Sequence, residues 1–188
     1  MKKNDDLIEL INLCKQNDSL AQQKLFNCYK NYLFALCLRY SKSSSEAEDM
    51  LMEGWMRIFK HIDMFEIDQD FKSYVFESWI KKIMINNAIN TYKANKKYNT
   101  NELFIDVEYS NYDKMFESDY LFSEQELIGC VQKLPKSLRI IFNMSAIDQY
   151  SNKEIGQELN MTQDSVKSNL YKAREALKKS LKKIVKKD

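Results

Sequence analysis

The sequence predicts an all-α protein, and three observations support this prediction. The chain contains only three glycines and one proline in 188 residues, too few for the many turns of an all-β fold. It is rich instead in leucine, isoleucine, lysine, glutamate, methionine and alanine, a composition that suits helices. Finally, the capping-box pattern, a serine followed three residues later by glutamate or glutamine, precedes apolar-periodic stretches at Ser19, Ser43, Ser123 and Ser151.

The first half of the chain is predicted to form four helices, near residues 4–16, 20–40, 45–60 and 78–95. In the second of them, large side chains recur at helical spacing and form one broad apolar face. This face contains Leu25, Tyr29, Tyr32, Leu33, Leu36 and Tyr40. The stretch 63–77 mixes acids with aromatics, so we predict that it is mainly a loop.

Residues 96–122 lack helical periodicity and are predicted to link two small helical domains, residues 1–95 and 123–188. The charge changes sharply along this part of the chain. Residues 101–130 carry eight acidic side chains and one basic one, whereas residues 131–188 carry thirteen basic and six acidic ones. The basic C-terminal domain is therefore suited to attract nucleic acid, and the acidic linker is not.

The second domain is predicted to contain four helices. The first spans 124–133, and the second runs from Pro135 to about Asp148. Proline suits the start of a helix, because the backbone N–H groups of the first turn have no partner within the helix and the missing N–H costs nothing there. A short helix over 152–159 and a longer one over 163–181 complete the domain.

The last two helices have the pattern of a helix-turn-helix. Gly156 would let a helix cross closely, Asn160 suits the left-handed backbone of a tight turn, and Thr162 can cap the final helix. One face of that helix is polar and basic, as insertion into the major groove requires. We predict DNA contacts by Gln163, Ser165, Lys167, Ser168, Tyr171, Lys172 and Arg174. A solvated helical hairpin is the alternative, since lysine-rich faces are common.

The chain resembles extracytoplasmic-function sigma factors in three places. Similarity to the family's C-terminal promoter-binding domain lies at 134–139, Phe142, 150–159, 165–168 and 173–174. Residues 47–59 resemble its segment for core RNA polymerase, and residues 76–90 its segment for the melted minus-ten element. Gln149 departs from the family, where glycine often precedes Tyr-Ser. The resemblance implies a transcription initiation factor whose last helix recognises the minus-thirty-five element.

By this resemblance, core polymerase is contacted by Asp49, Met52, Glu53 and Met56. Asp49 and Glu53 lie four residues apart beside methionines, so a mixed acidic and apolar stripe can dock a partner helix. Burial in the core is an equal alternative for Trp55 and Met56.

The resemblance also implies a second set of DNA contacts, with the melted minus-ten strand. The candidates are Phe71, Tyr74, Lys81, Lys82, Asn86, Asn87, Asn90 and Lys93. Lysines attract phosphates, amides can bond to bases, and aromatic rings can stack on an unpaired base. Trp79, at helical spacing among apolar residues, is predicted to be structural. The acidic linker would lie along the polymerase's channel for nucleic acid.

The implied partners are core RNA polymerase and promoter DNA, with an anti-sigma factor as a further candidate. No metal or other cofactor is expected, because Cys14, Cys28, Cys37 and Cys130 are widely spaced. Cys28 and Cys37 are expected to act as small buried hydrophobes. Without a long apolar run, membrane insertion is not expected, and we predict a cytoplasmic protein.

Two alternative functions are a stand-alone transcription regulator, which would use the helix-turn-helix, and an adaptor that binds only proteins. A stand-alone transcription regulator would bind duplex DNA by itself, with half-site symmetry. An adaptor that binds only proteins would leave the basic helix unexplained. An enzyme is disfavoured, since His61 is the single histidine and no glycine-rich phosphate loop is present.

Overall fold

The computed structural model describes residues 2–98 and 121–185, and these residues form eight α-helices and no strand, which confirms the predicted all-α class. The N-terminal helices are α1 (Lys2–Lys15), α2 (Ser19–Tyr40), α3 (Ser44–His61) and α4 (Ser73–Tyr98), with a 3-10 turn at Ile62–Met64. The C-terminal helices are α5 (Glu124–Gln132), α6 (Lys136–Phe142), α7 (Asn152–Leu159) and α8 (Gln163–Val185). A π-helical turn, Asn143–Ile147, extends α6. Residues 99–120 of the predicted linker lie outside the described residues.

The chain divides into two compact units, Met1–Ala88 and Ile89–Asp188, so the boundary falls within α4. In the first unit α2 packs against α1 and α3. In the second, α8 packs against α5, α6 and α7, and Leu134, Leu138 and Ala173 form a buried cluster. Among the described helices, none has both the length and the apolar composition that a bilayer span requires.

Three of the four predicted serine caps are present. Ser123 and Ser151 form complete capping boxes with the glutamates three residues later. Ser43 accepts a hydrogen bond from the N–H of Glu46, although the Glu46 carboxylate accepts from Lys42 instead of returning to the serine. These local hydrogen bonds fix where α3, α5 and α7 begin.

The predicted cap at Ser19 is wrong, because the N-cap of α2 is Asp18. Its carboxylate accepts from the N–H of Ala21 at 2.8 Å. Asn17, just before it, has a φ of 60°, so the chain has already reversed direction and Ser19 lies inside the helix. Aspartate is as good an N-cap as serine, which is why the sequence pattern was ambiguous here.

The stretch 63–77 is only partly the loop that we predicted. α4 begins at Ser73, five residues before the predicted start at 78, because Phe76 packs into the core and extends the buried face of the helix. Phe76, Trp79 and Ile80 follow one another at the spacing of a single helix face. The loop proper is confined to residues 65–72.

Gln149 has a φ of 62°, a left-handed conformation in which the Cβ of an L-residue is crowded. We expect Gln149→Gly to raise the free energy of unfolding by about 0.5–1 kcal/mol, because relief of this strain exceeds the added entropy of an unfolded glycine. Urea unfolding followed by circular dichroism measures the change. Gln157→Gly, at an exposed position inside α7, is the matched control and should lower stability by a similar amount. A loss of stability in both variants would contradict the expectation.

Candidate nucleic-acid interface

The turn between α7 and α8 depends on backbone geometry at two residues. Asn160 adopts the predicted left-handed conformation, with φ 53° and ψ 54°. The N–H of Met161 donates to the carbonyl of Gly156 at 2.9 Å, and a Cβ on Gly156 would lie 2.7 Å from the carbonyl oxygen of Met161. Gly156 therefore has to be small, as predicted. The crowding group is the backbone of the turn, however, and not a crossing helix.

Both helices of this motif begin at side-chain caps. The N–H of Ser151 donates to Oε2 of Glu154 at 2.8 Å, and the N–H of Glu154 donates to the Ser151 hydroxyl at 3.2 Å. Hydrogen bonds from Ser151 lower the pKa of the Glu154 carboxyl, so the cap is charged at neutral pH. At α8, the hydroxyl of Thr162 accepts from the N–H of Ser165 at 3.2 Å, as predicted. The Thr162 hydroxyl also donates to the Ser165 hydroxyl at 2.9 Å, so the cap that fixes the start of α8 includes this one outward-facing side chain.

The inner face of α8 buries Val166, Leu170, Ala173 and one polar residue, Asn169. The amide of Asn169 donates to the carbonyl of Ser165 at 2.8 Å, which satisfies it within the helix. Sequence reasoning missed Asn169. Its burial could have been predicted from its position, because a residue three after Val166 and four before Ala173 lies on the same face of the helix as both.

The outer face of α8 carries all seven of the predicted DNA-contacting residues. Of these, Gln163, Lys167 and Arg174 are exposed, while the half-buried ones are Ser165, Ser168, Tyr171 and Lys172. Lys167 Nζ lies 3.1 Å from Asp164 Oδ1. Both partners are largely in water, so the pair is weak and a phosphate can replace the carboxylate.

Two of the eight residues predicted to contact the melted strand are in the core of the first unit. Phe71 is buried edge-on against Phe65, with 6.1 Å between ring centroids. Asn87 is 1% exposed, and its amide donates to the carbonyl of Met50 and to Oε2 of Glu53, both at 3.4 Å. Neither residue is accessible to a DNA strand, because Phe71 packs against Phe65 and Asn87 packs against α3.

The other six residues are accessible. Tyr74 is 64% exposed at the start of α4. Lys82, Asn86 and Asn90 are exposed and recur every four residues, so they form one stripe along the helix, while Lys81 and Lys93 are half-buried.

The predicted polymerase face of α3 is exposed at all four positions, Asp49, Met52, Glu53 and Met56. Met56 is 65% exposed, whereas Trp55 is only 2% exposed and packs between Phe26 and Phe59, with ring centroids 5.3 and 5.2 Å away. Trp55 is thus core and Met56 is surface. Two large apolar side chains four residues apart on a solvated helix are typical of a protein contact surface.

Three of the four cysteines are buried. Burial raises the pKa of the Cys14 thiol to about 11 and that of Cys37 to about 12, so both are unreactive thiols at neutral pH. Cys28 is exposed, and the prediction that it is buried was wrong. In the described ranges, no group of three or more His, Cys, Asp or Glu side chains is arranged to hold a metal ion.

Comparison with protein-family models assigns both halves of the chain. The model of sigma-70 region 2 matches residues 25–98, which contain α3 and α4, and the model of sigma-70 region 4 matches residues 124–177, which contain the helix-turn-helix. The chain belongs to the sigma-70 family. Most of this sigma factor is covered by the two matches, in the order expected from the sequence.

Its relatives include named sigma factors of the predicted group. It is 28% identical over 181 residues to the ECF RNA polymerase sigma factor SigW of Bacillus subtilis, with 89% of this chain and 92% of the relative covered. It is 24% identical over 182 residues to the ECF RNA polymerase sigma-E factor of Haemophilus influenzae, covering 92% and 93%. This confirms the assignment to the extracytoplasmic-function group.

Among solved structures, the sigma factor RpoE of Bartonella quintana, in complex with the anti-sigma factor NepR, superposes with a TM-score of 0.49 at 17% identity. The match covers 85% of this sigma factor and 96% of RpoE. Together, the family models and the curated relatives identify a promoter-directing sigma factor of RNA polymerase, and no comparison supports a stand-alone regulator.

Proposed function

We propose that three helices of this sigma factor each bind a different target. Within a first domain, residues 1–95, α3 binds core polymerase and α4 holds the melted minus-ten strand. Within a second, residues 123–188, α8 recognises the minus-thirty-five element, and residues 96–122 connect the two. The observation that carries the proposal is the outer face of α8, whose polar and basic side chains are exposed or half-buried while caps and the Asn160 turn fix the helix.

Recognition of the minus-thirty-five element would combine base and phosphate contacts. Gln163, Ser165, Lys167 and Ser168, near the start of α8, are suited to base edges in the major groove. Tyr171, Lys172 and Arg174 follow further along and are suited to the phosphate backbone. Phosphate contacts release counterions, so we expect affinity to fall steeply with salt.

Capture of the minus-ten strand would use the stripe of Lys82, Asn86 and Asn90 together with Tyr74, and with Lys81 and Lys93 as partly accessible phosphate contacts. Stacking of a base on an aromatic ring contributes about 1–3 kcal/mol, comparable with the few kcal/mol that extruding a base costs. Promoter melting by this protein would then be a binding process, and no enzymatic step is required of it.

The α3 face supports a contact with core polymerase. Met52 and Met56 supply apolar area that water would otherwise cover, and Asp49 and Glu53 can set the register of a basic partner. An anti-sigma factor that covers the same methionines is a further proposed partner. We place all of these interactions in the cytoplasm, where core polymerase and promoter DNA are found.

The test is transcription in vitro from a promoter library, with core polymerase from the source organism and with or without the protein. We expect protein-dependent transcripts that share a two-part motif. Lys167→Ala combined with Arg174→Ala should reduce these transcripts by about tenfold or more, because two contacts with the upstream duplex are lost.

The matched control combines Lys179→Ala with Lys183→Ala, which removes the same charge from exposed positions further along α8. It should lower output only modestly and without changing the preferred motif. If the protein neither binds core polymerase nor yields promoter-dependent transcripts, the proposed function fails. Equal losses in the two double variants would mean that α8 contributes charge alone.

A further inference from the structure

The last turns of α4 belong to the second compact unit, which begins at Ile89. One side chain of these turns forms an ion pair with the helix-turn-helix, because Lys93 Nζ lies 3.3 Å from Oε2 of Glu158 on α7. The two side chains are 37% and 45% exposed, so the pair is half-buried and remains in contact with water. Lys93 is one of the phosphate contacts proposed for the minus-ten strand, whereas Glu158 takes part in none of the contacts proposed above.

Glu158 is one of three carboxylates close to the hydroxyl of Tyr150. Burial raises the pKa of this hydroxyl, and the negative charges of Asp148, Glu158 and Glu154 raise it further. The same charges attract the ammonium of Lys93 and would repel a phosphate brought to the same place. A phosphate of the strand can therefore bind Lys93 only after the ammonium has left Glu158.

The ion pair is also incompatible with the distance between the two promoter elements. Helix α7, which carries Glu158, packs against α8 within the same unit. The minus-ten and minus-thirty-five elements are named for positions about 25 base pairs apart, which is about 85 Å along B-form DNA. Lys93 cannot lie 3.3 Å from Glu158 and also contact the minus-ten strand while α8 occupies the minus-thirty-five groove.

We propose that the ion pair between Glu158 and Lys93 is autoinhibitory, with the Glu158 carboxylate in the place that a phosphate of the minus-ten strand takes on the promoter. Binding to both elements requires the pair to break, so the apparent affinity is reduced by the fraction of protein in which the pair is open. Partly exposed ion pairs are weak, and the reduction is therefore about two- to fivefold. This inference rests on the proposed function, in which Lys93 and α8 contact different elements of one promoter.

The test measures the concentration of sigma factor that gives half-maximal transcription in vitro from a library promoter, with core polymerase kept well below that concentration. We expect Glu158→Gln, which keeps the shape of the side chain and removes its charge, to lower this concentration by about two- to fivefold. Glu158→Asp keeps the charge but withdraws the carboxylate from Lys93. It should give a smaller change in the same direction, and it serves as the second variant if Glu158→Gln does not fold.

Two controls separate the ion pair from a general gain of positive charge. Glu124→Gln removes the same charge from an exposed position on α5 and should leave the half-maximal concentration unchanged. Lys93→Met has no ammonium for Glu158 to hold, and it should itself weaken promoter binding. In that background, adding Glu158→Gln should have no further effect, because the interaction between the two side chains is already absent.

Equal half-maximal concentrations for wild type and Glu158→Gln would overturn the autoinhibitory role and leave the proposed function standing. The same gain from Glu158→Gln in the Lys93→Met background would also overturn it, because Glu158 would then act without Lys93. If the wild-type protein gives no promoter-dependent transcripts with core polymerase, the proposed function fails and this inference fails with it.

Discussion

Replacing Gly156 with alanine is expected to abolish promoter-specific transcription and to lower the free energy of unfolding of the second unit by about 2–3 kcal/mol. The added Cβ would lie 2.7 Å from the carbonyl oxygen of Met161. That oxygen belongs to the backbone of the turn, so it cannot move without disturbing Asn160 and the start of α8. The same strain would therefore damage stability and the DNA-binding face together.

The other two glycines supply matched controls for this change. Beyond the neighbouring residues and backbone of its own helix, Gly129 has no atom within 4 Å of an added Cβ, so Gly129→Ala should raise the stability of α5 by about 0.5–1 kcal/mol. At Gly54 the nearest atoms are the sulfur and methyl of Met84, the flexible end of a side chain, and Gly54→Ala should cost less than Gly156→Ala. Urea unfolding and transcription from the library promoter measure both effects. Equal stabilities for Gly156→Ala and Gly129→Ala would contradict the claim that the backbone of the turn leaves no room for a Cβ at position 156.

Truncating Phe76 to alanine should have the largest effect on the first unit, a loss of about 3–5 kcal/mol in the free energy of unfolding. Phe76 is 0% exposed. Its ring centroid lies 5.2 Å from that of Phe65, 5.7 Å from that of Tyr29 and 5.8 Å from that of Trp79. Its removal would leave a cavity between α2, α4 and the loop, which these rings cannot fill without leaving their own positions.

Tyr74, two residues earlier, is the matched control because it is an aromatic residue of the same helix but is 64% exposed. Tyr74→Ala should change stability by no more than about 0.5 kcal/mol. It should nevertheless weaken open-complex formation by about fivefold or more, through loss of stacking on the melted strand. Chemical unfolding and permanganate reactivity of the promoter separate the two effects. Wild-type stability in Phe76→Ala would contradict the role of Phe76 in the core. Normal promoter opening in Tyr74→Ala would contradict the stacking of Tyr74 on the melted strand.

Features decided by neighbouring residues were predicted well from the sequence. The caps at Ser123, Ser151 and Thr162 involve atoms three residues apart, and the left-handed turn at Asn160 depends on one side chain and the backbone beside it. The outer face of α8 also follows from sequence, since helical periodicity alone separates it from the apolar face. The order of the two matched regions along the chain is likewise a property of the sequence itself.

Burial on α4 and in the loop could be decided only by the tertiary structure. Asn86 and Asn87 are chemically identical neighbours, yet one faces solvent and the other is 1% exposed beside Met50 and Glu53. Which of them is buried depends on where α3 lies, and no local pattern contains that information.

The same reason explains the early start of α4, the burial of Phe71 and the ion pair of Lys93 with Glu158. The sequence by itself determined the fold class, the helix-turn-helix and the family of this sigma factor, because periodicity, capping and turn geometry are local. The tertiary structure alone decided which polar and aromatic residues remain available to DNA, because burial is a contact between segments far apart in the chain.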